Sequence, residues 1–443
     1  MASRAEHLSE TLRNLVAIQS VSPDPACANE VVRAVHWAAD RIQEIGGEAL
    51  VSQRDGSFPL VTGEVRASTS PEDAPDVLVY AHVDVQAAGS LEPWESAPFE
   101  LTRRDDQLYG RGVADDKANV VILLAAVEEL AAARALPVNV RFLIDAEEEI
   151  GGDSADVWLQ SDTRGASAAV MLDGSVDELT TGIRGLMYGL LRVTTGDAGQ
   201  HSGLYGGAAL SASEALIRAT SALLPGADGL LPPSLRLGVL PAPEAETETW
   251  RRLPPGRELL ADAGLRASDA AAAADFHRRT RAEPALTITG IQSGDVSQFN
   301  ASIPTKAEAA IMLRPVAGQS ASRLAAEAER LLRASGPAEA TLELTWDLLF
   351  DGAETPADGP ELAIAADAIE RHIGGRPVAL RTGGSLPLFE NLCARGIPII
   401  CTGFGIEREA NMHGPNERFP VSHLVRGTDA MREILTRLGE RRR

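Results

Sequence analysis

The stretch Val77-Leu78-Val79-Tyr80-Ala81-His82-Val83-Asp84 is an apolar, β-branched run that stops abruptly on a histidine and a carboxylate two residues apart. Apolarity without alternation reads as a strand buried on both faces, the kind found inside a parallel sheet. Such a strand delivers rigid backbone to a sheet edge, where a neutral imidazole can bind a cation while Asp84 holds its other ring nitrogen. A lone His-x-Asp after a strand is more often a structural histidine. Here the pattern repeats: Val138 to Ile144 runs into Asp145-Ala146-Glu147-Glu148-Glu149-Ile150-Gly151-Gly152, and Ala168 to Leu172 runs into Asp173-Gly174.

Working outward, Glu6 to Ile45 carries helical periodicity broken by Ser22-Pro23-Asp24-Pro25 and stopped by Gly46-Gly47. Gly110-Arg111-Gly112-Val113-Ala114-Asp115-Asp116-Lys117 opens an apolar helix from Asn119 to about Ala133. Strands alternating with helices over short loops predict an α/β domain, a mostly parallel sheet with helices on both faces. In such sheets ligands gather at the carboxyl ends of the strands, where His82, Glu148, Glu149 and Asp173 stand and which a loop carrying Asp115 can reach.

From Arg184 the texture changes. A strand around Gly189–Val193, a helix over Ala208–Leu224, a Pro-rich segment, a helical stretch Arg257–Arg281, strands at Ala285–Ile291 and Glu308–Leu313, a helix over Ser320–Ala334 and a strand at Ala340–Leu344 form an α+β pattern of their own. The α/β texture returns after Phe350-Asp351-Gly352, with a glycine loop at Thr382-Gly383-Gly384-Ser385. The sequence thus predicts a discontinuous first domain, 1–183 and 354–443, with an inserted α+β domain over 184–353.

At 443 residues the chain exceeds what one core usually supports, which agrees with two domains. A formal charge of −22 argues against nucleic-acid and anionic-membrane partners, because neutralising phosphates needs a basic face. Cys27, Cys393 and Cys401 cannot all pair and lack zinc-motif spacing, so they read as free thiols. The start of the chain has no apolar leader and no apolar run reaches spanning length, so a cytoplasmic location is expected.

The candidate ligands are His82, Asp84, Asp115, Asp116, Glu147 to Glu149, Asp173 and, far downstream, His413. A mixed nitrogen and oxygen set suits zinc, manganese or cobalt and not a thiophilic metal. Adjacent acids are usually a solvated face, but these follow a strand and precede Gly-Gly, where carboxylates crowd at high cost unless cations lie between them. Asp115-Asp116-Lys117 can equally be a helix cap. With one carboxylate bridging, the set is sized for two ions, and paired ions imply hydrolysis of an acyl bond.

The order His-x-Asp-Val, Gly-Arg-Gly-x-x-Asp-Asp-Lys, Glu-Glu, Asp and a late His resembles the M20 family of metallopeptidases over nearly the whole chain. His82-Val83-Asp84-Val85-Gln86, the loop Trp94 to Phe99, Gly384-Ser385-Leu386-Pro387 and His413-Gly414-Pro415-Asn416-Glu417 are most similar to its branch of cytosolic nonspecific dipeptidases and carnosinases. The resemblance implies two divalent ions, zinc with manganese or cobalt as alternatives: His82, Asp115 and Asp173 on one, Asp115, Glu149 and His413 on the other. It implies that Glu148, not Glu147, is the general base toward a water bridging the ions, that Asp84 orients His82, and that the Asp115–Asp116 peptide is cis.

For the inserted domain the resemblance implies a lid and dimerisation role, with a homodimer as the assembly. His201 would polarise the scissile carbonyl, and Asn300, Arg314, Arg381 and Ser385 would hold the substrate. Ala118, Ala87, Gly152, Gly414 and Gln200 depart from the family's usual residues without removing a ligand. The implied activity is metal-dependent hydrolysis of dipeptides or short peptides, by a dipeptidase or carboxypeptidase. Two alternatives stand beside it: an N-acyl-amino-acid deacylase using the same ions, and a catalytically silent peptide-binding relative.

Overall fold

The computed structural model describes residues 3–297 and 300–441. In chain order it opens with helices α1 (Arg4–Val16) and α2 (Ala28–Glu44), strands β1 (Glu48–Ser52), β2 (Leu60–Val65) and β3 (Asp76–His82), helix α3 (Ala118–Ala132), strand β4 (Asn139–Asp145), helix α4 (Ser154–Ser161) and strand β5 (Ala168–Leu172). There follow β6 (Leu186–Thr194), α5 (Ala212–Ser221), β7 (Ala285–Ser293), β8 (Lys306–Arg314), α6 (Ala321–Ser335) and β9 (Thr341–Phe350). The chain closes with α7 (Pro360–His372), β10 (Ile399–Thr402) and α8 (Val421–Glu440).

These elements form two compact units. The first runs to Thr181 and resumes over Thr355–Leu380 and from Asn391; the second comprises Gly182–Glu354 and Arg381–Glu390. The glycine loop thus groups with the inserted segment. Its backbone explains why: Thr382 N–H donates to Gly182 O at 2.8 Å, and Arg184 N–H donates to Gly384 O at 3.0 Å.

In the first unit a six-stranded sheet has the order β1-β2-β4-β3-β5-β10. Strands β4, β3, β5 and β10 run parallel, and β1 and β2 add an antiparallel margin. The parallel strands are covered on both faces: β3 is buried from Val77 to His82 and β4 throughout, β4 enclosing Asn139, Arg141 and Asp145 along with its apolar residues. Register sets His82 of β3 beside Asp145 of β4, so both strands release their loops at the same sheet edge. Helix α3 is apolar around most of its circumference and correspondingly buried, the expectation for a helix enclosed by its neighbours. It packs against α1 and α8, and α8 also packs against α7.

The second unit holds an antiparallel sheet ordered β7-β8-β6-β9, with α5 and α6 packed on it through Leu216, Ala219, Leu324 and Leu332. Here the sequence pattern misleads in places. The helical stretch expected over Arg257–Arg281 is two short helices, Gly256–Asp262 and Phe276–Arg281. Gly264, at φ +66°, ends the first, and the Asp269 side chain accepts the Ala271 N–H in a turn that competes with helix. The helix expected over Ala208–Leu224 is the shorter α5.

Gly427, in α8, is packed against Phe404 and Ile122: a Cβ built there would meet Phe404 Cγ at 2.9 Å and Ile122 Cδ1 at 3.0 Å. Gly427→Leu therefore overpacks the core between α8 and α3 and should cost about 1–3 kcal/mol. A lower denaturant midpoint checks this; an unchanged one would show that the helices separate freely.

Candidate metal centre

His82 ends β3 fully buried, its Nε2 3.0 Å from Asp115 Oδ1 and its Nδ1 3.3 Å from Asp84 Oδ1. Asp84 is fixed in turn: its Oδ2 accepts the Ser22 hydroxyl at 2.6 Å and the Glu149 N–H at 3.1 Å. One buried carboxylate thereby ties the first histidine to the loop after β4.

Asp115 lies in the turn Val113–Lys117 that opens α3, in extended conformation (φ −127°, ψ 88°), and its peptide to Asp116 is cis. Gly112 makes the turn possible at φ +78°, where a Cβ would meet Val85 Cγ1 at 2.3 Å. Asp116 points the other way. Its Oδ2 accepts the His82 N–H at 3.1 Å and its Oδ1 the Asn119 amide at 2.6 Å. Lys117 is buried, donating to the carbonyls of Leu15 at 3.1 Å and Ile18 at 2.7 Å. The Asp-Asp-Lys run is therefore not a simple helix cap: each residue has a separate partner.

The other oxygen of Asp115, Oδ2, stands 2.9 Å from Nε2 of His413, and Glu149 Oε2 stands 3.2 Å from the same nitrogen. Two clusters result, His82 with Asp115 and Asp173, and Asp115 with Glu149 and His413, each with ligand atoms within 4.8 Å of one another. Asp115 belongs to both, offering one oxygen to each histidine. All five residues come from the first unit.

The adjacent glutamates differ in engagement. Glu147 is buried and structural: it accepts the Phe58 N–H and the Ser154 N–H, each at 2.9 Å, and a Cβ on Gly152 would meet its Cγ at 2.2 Å. Glu149 Oε1 accepts the Gln86 N–H at 3.1 Å, which leaves Oε2 toward His413. Glu148 remains within electrostatic reach of Asp173, His82 and Asp115.

Charge in this place is poorly compensated by the protein itself. Burial, with Asp115 repelling, raises Asp173 to about 6 against its attraction to His82. Burial and then Asp173 raise Glu148 to about 8. Burial opposes the charging of His82, yet Asp115 and Asp84 carry it well above the ordinary histidine range. Hydrogen bonding to Asp115 and Glu149 raises His413 to about 10. Asp115 keeps its charge: burial works against it, but the two histidines hold it well below the usual carboxylate range. Asp173 Oδ2 is buried with no hydrogen-bond partner among the described residues. An orphaned carboxylate oxygen, a nitrogen and oxygen donor set and mutual repulsion together fit divalent cations.

The second unit's candidates are placed as follows. His201 is exposed, its Nδ1 accepting the Gly203 N–H at 3.0 Å, and Asn300 Oδ1 accepts the Ser302 N–H at 2.9 Å. Arg314 donates through Nη1 to the Ser385 hydroxyl at 2.9 Å, and that hydroxyl donates to Gly185 O at 3.0 Å. Arg381 is buried, and its guanidinium donates to Glu246 through Nε at 2.9 Å and Nη2 at 2.7 Å. Arg184 escaped the sequence reading because it stood at the expected domain boundary. It donates to Gly383 O at 3.1 Å, and burial followed by repulsion from Arg314 and Arg281 lowers it to about 10. Ser22, Gln86 and Asn119 escaped as well, since a turn serine or a lone amide carries no local signal.

Residues 78–437 match the model of Peptidase family M20/M25/M40. Among curated proteins the chain is 26% identical to a cysteinylglycine-S-conjugate dipeptidase of Corynebacterium striatum, over 98% of this chain and 96% of that one. It is 25% identical to the Beta-Ala-His dipeptidase of Homo sapiens, over 95% and 87%. Among solved structures it superposes on an M20 family metallo-carboxypeptidase, Sso-CP2, from Sulfolobus solfataricus with a TM-score of 0.85 at 20% identity, covering 99% and 100%. Human carnosine dipeptidase 1 gives 0.78 at 24%, covering 99% and 97%.

The charges fix a sign for pH dependence without cations. Asp173 and Glu148 hold protons in the native state that the unfolded chain releases near 3.8 and 4.5, so stability falls as pH rises toward about 6 and 8. The stabilisation from His413 is complete below 6.5 and is lost as pH rises through about 10. Chelator-treated protein should thus lose stability to denaturant steadily from pH 5 to 9, and zinc should flatten the slope. A flat profile in chelator would contradict this account of the cluster.

Proposed function

The chain belongs to Peptidase family M20/M25/M40, and on that footing we propose that it is a metal-dependent dipeptidase, hydrolysing the amide bond of dipeptides or short peptides. The observation that carries this reading is the pair of ligand clusters sharing Asp115, with Glu148 beside them. His82, Asp115 and Asp173 would hold one divalent ion and Asp115, Glu149 and His413 the other, zinc being the ion such a donor set suits best. When bound, the ions supply Lewis-acid polarisation of the peptide carbonyl and a low-pKa water.

The chain's own residues do the rest. Glu148 takes a proton from the attacking water and returns it to the departing amine, a role that needs a carboxyl whose proton affinity can be tuned near neutrality. Asp84 orients His82 and, through the Glu149 N–H, the loop bearing the base. Dipeptidase relatives aligned end to end favour this reading over an acyl-amino-acid deacylase. A silent relative would lack a ligand or the base, and the chain retains all of them. The second unit we read as a lid and dimerisation domain of a cytoplasmic homodimer, with His201, Asn300, Arg314, Arg381 and Ser385 as substrate contacts. No helix among the described residues is long and apolar enough to cross a membrane.

Chelation should abolish dipeptide turnover, and zinc, manganese or cobalt should restore it. Glu148→Gln should keep both ions and lose about 10²- to 10⁴-fold in rate, whereas Glu149→Gln should lose metal from the second site. Metal content and rate measured together decide it: an active Glu148→Gln enzyme places the base elsewhere.

The role of His201 makes a demand on assembly. If it reaches a partner's active site to polarise the carbonyl, truncation costs about 10²- to 10³-fold. Mixing His201→Ala with Glu148→Gln protein should then restore activity after subunit exchange. Verified mixed dimers that stay inactive would return His201 to its own chain or to no role.

A further inference from the structure

The shared ligand and the second histidine sit on irregular backbone, Asp115 in the turn after Gly112 and His413 in the loop before Arg418. The latter passes through three non-glycine residues in the left-handed region, Asn411 (φ 53°), His413 (φ 60°) and Asn416 (φ 58°). Such backbone persists only where its surroundings over-determine it. Its anchor is Glu417, four residues beyond the histidine and fully buried. Oε2 accepts Arg111 Nη1 at 2.7 Å and the Gly112 N–H at 2.8 Å; Oε1 accepts the Ala114 N–H at 2.8 Å and the Asp115 N–H at 3.2 Å. Its carbonyl also accepts the Gly110 N–H at 3.0 Å.

Arg111 completes the tie from the other loop. It is buried, donates through Nη2 to Gly414 O at 3.1 Å and through its backbone N–H to Pro98 O at 2.7 Å, and lies 5.5 Å from the Trp94 ring centroid. Asn416 donates to Pro93 O at 2.8 Å and accepts the Glu95 N–H at 2.8 Å, which ties the His413 loop to the segment that also holds Trp94 and Pro98. We infer that Arg111 and Glu417 are the positioning pair that sets Asp115 against His413, and so decides whether one carboxylate can serve both clusters. Both are buried, so they act through the loops they hold. The inference rests on the proposed assignment of the metal ligands.

A buried ion pair is by itself weak evidence of a role, because an apolar pair of similar volume often gives equal or better stability. What an apolar pair cannot reproduce is a carboxylate that receives the ligand turn's own N–H groups. That distinction defines the test. Arg111→Met/Glu417→Leu removes both charges together, and Glu417→Gln turns one acceptor oxygen into a donor facing N–H groups. Zinc stoichiometry and affinity are measured by competition with a chromogenic chelator, beside the thermal midpoint of the chelator-treated protein. The expected result is a double variant that unfolds near the wild-type temperature yet binds zinc about 10- to 100-fold more weakly, as loss of an outer-shell partner typically does. Glu417→Gln should weaken zinc similarly, so the inference stays testable if the double variant fails to fold. Wild-type protein binding two ions while folded variants bind both equally well would overturn the inference alone; wild-type protein that does not bind two ions would overturn the metal assignment beneath it.

Discussion

Carboxylates are crowded at one sheet edge beyond what the protein's own cations can neutralise, and most of the first unit follows from that constraint. Asp84, Asp115, Glu148, Glu149 and Asp173 meet there with two histidines as the nearby bases. Isolated buried carboxylates escape by protonation, which is the direction burial drives Asp173 and Glu148. Asp115 does not escape, because each of its oxygens faces an imidazole nitrogen. A residue that stays charged between two nitrogen donors is suited to bridge two cations, and the residues around it keep it in that position.

The scaffold supplies rigidity in proportion to need. His82 and Asp173 come from, or directly after, strands buried on both faces, where close packing leaves little freedom. Asp115, Glu149 and His413 come from loops, and there the rigidity is hydrogen-bonded. Asp84 joins the loop after β4 to His82, and Glu417 joins the Asp115 turn to the His413 loop. Glu147 shows the same economy in a residue that could be mistaken for a catalytic one. Its carboxylate is occupied by the backbone of Phe58 and Ser154, whereas its neighbour Glu148 interacts electrostatically with Asp173, His82 and Asp115.

What was legible in the sequence was whatever repeats along it. The run from Val77 to His82, and its counterparts before Asp145 and Asp173, announced a parallel sheet with polar strand ends because buried strands cannot hide their composition. The antiparallel margin lacks that signal, since β1 alternates exposed and half-buried residues. The expected helix over Arg257–Arg281 failed because helical composition is blind to the turn that Gly264 and Asp269 make. The candidate ligands are legible through spacing and family order. Partners such as Ser22 and Glu417 are not, since hydrogen bonds between residues hundreds of positions apart leave no local pattern. Glu246, which pairs with Arg381 from 135 positions away, is equally silent in the sequence around that arginine.

Sharing of Asp115 between two divalent ions would be visible in anomalous diffraction at the zinc edge from crystals of the zinc-loaded protein. The account predicts two peaks about 3.5–4 Å apart, one beside His82 and Asp173, the other beside Glu149 and His413, with a carboxylate oxygen of Asp115 about 2 Å from each. A single peak, or two peaks of which only one contacts Asp115, would contradict it.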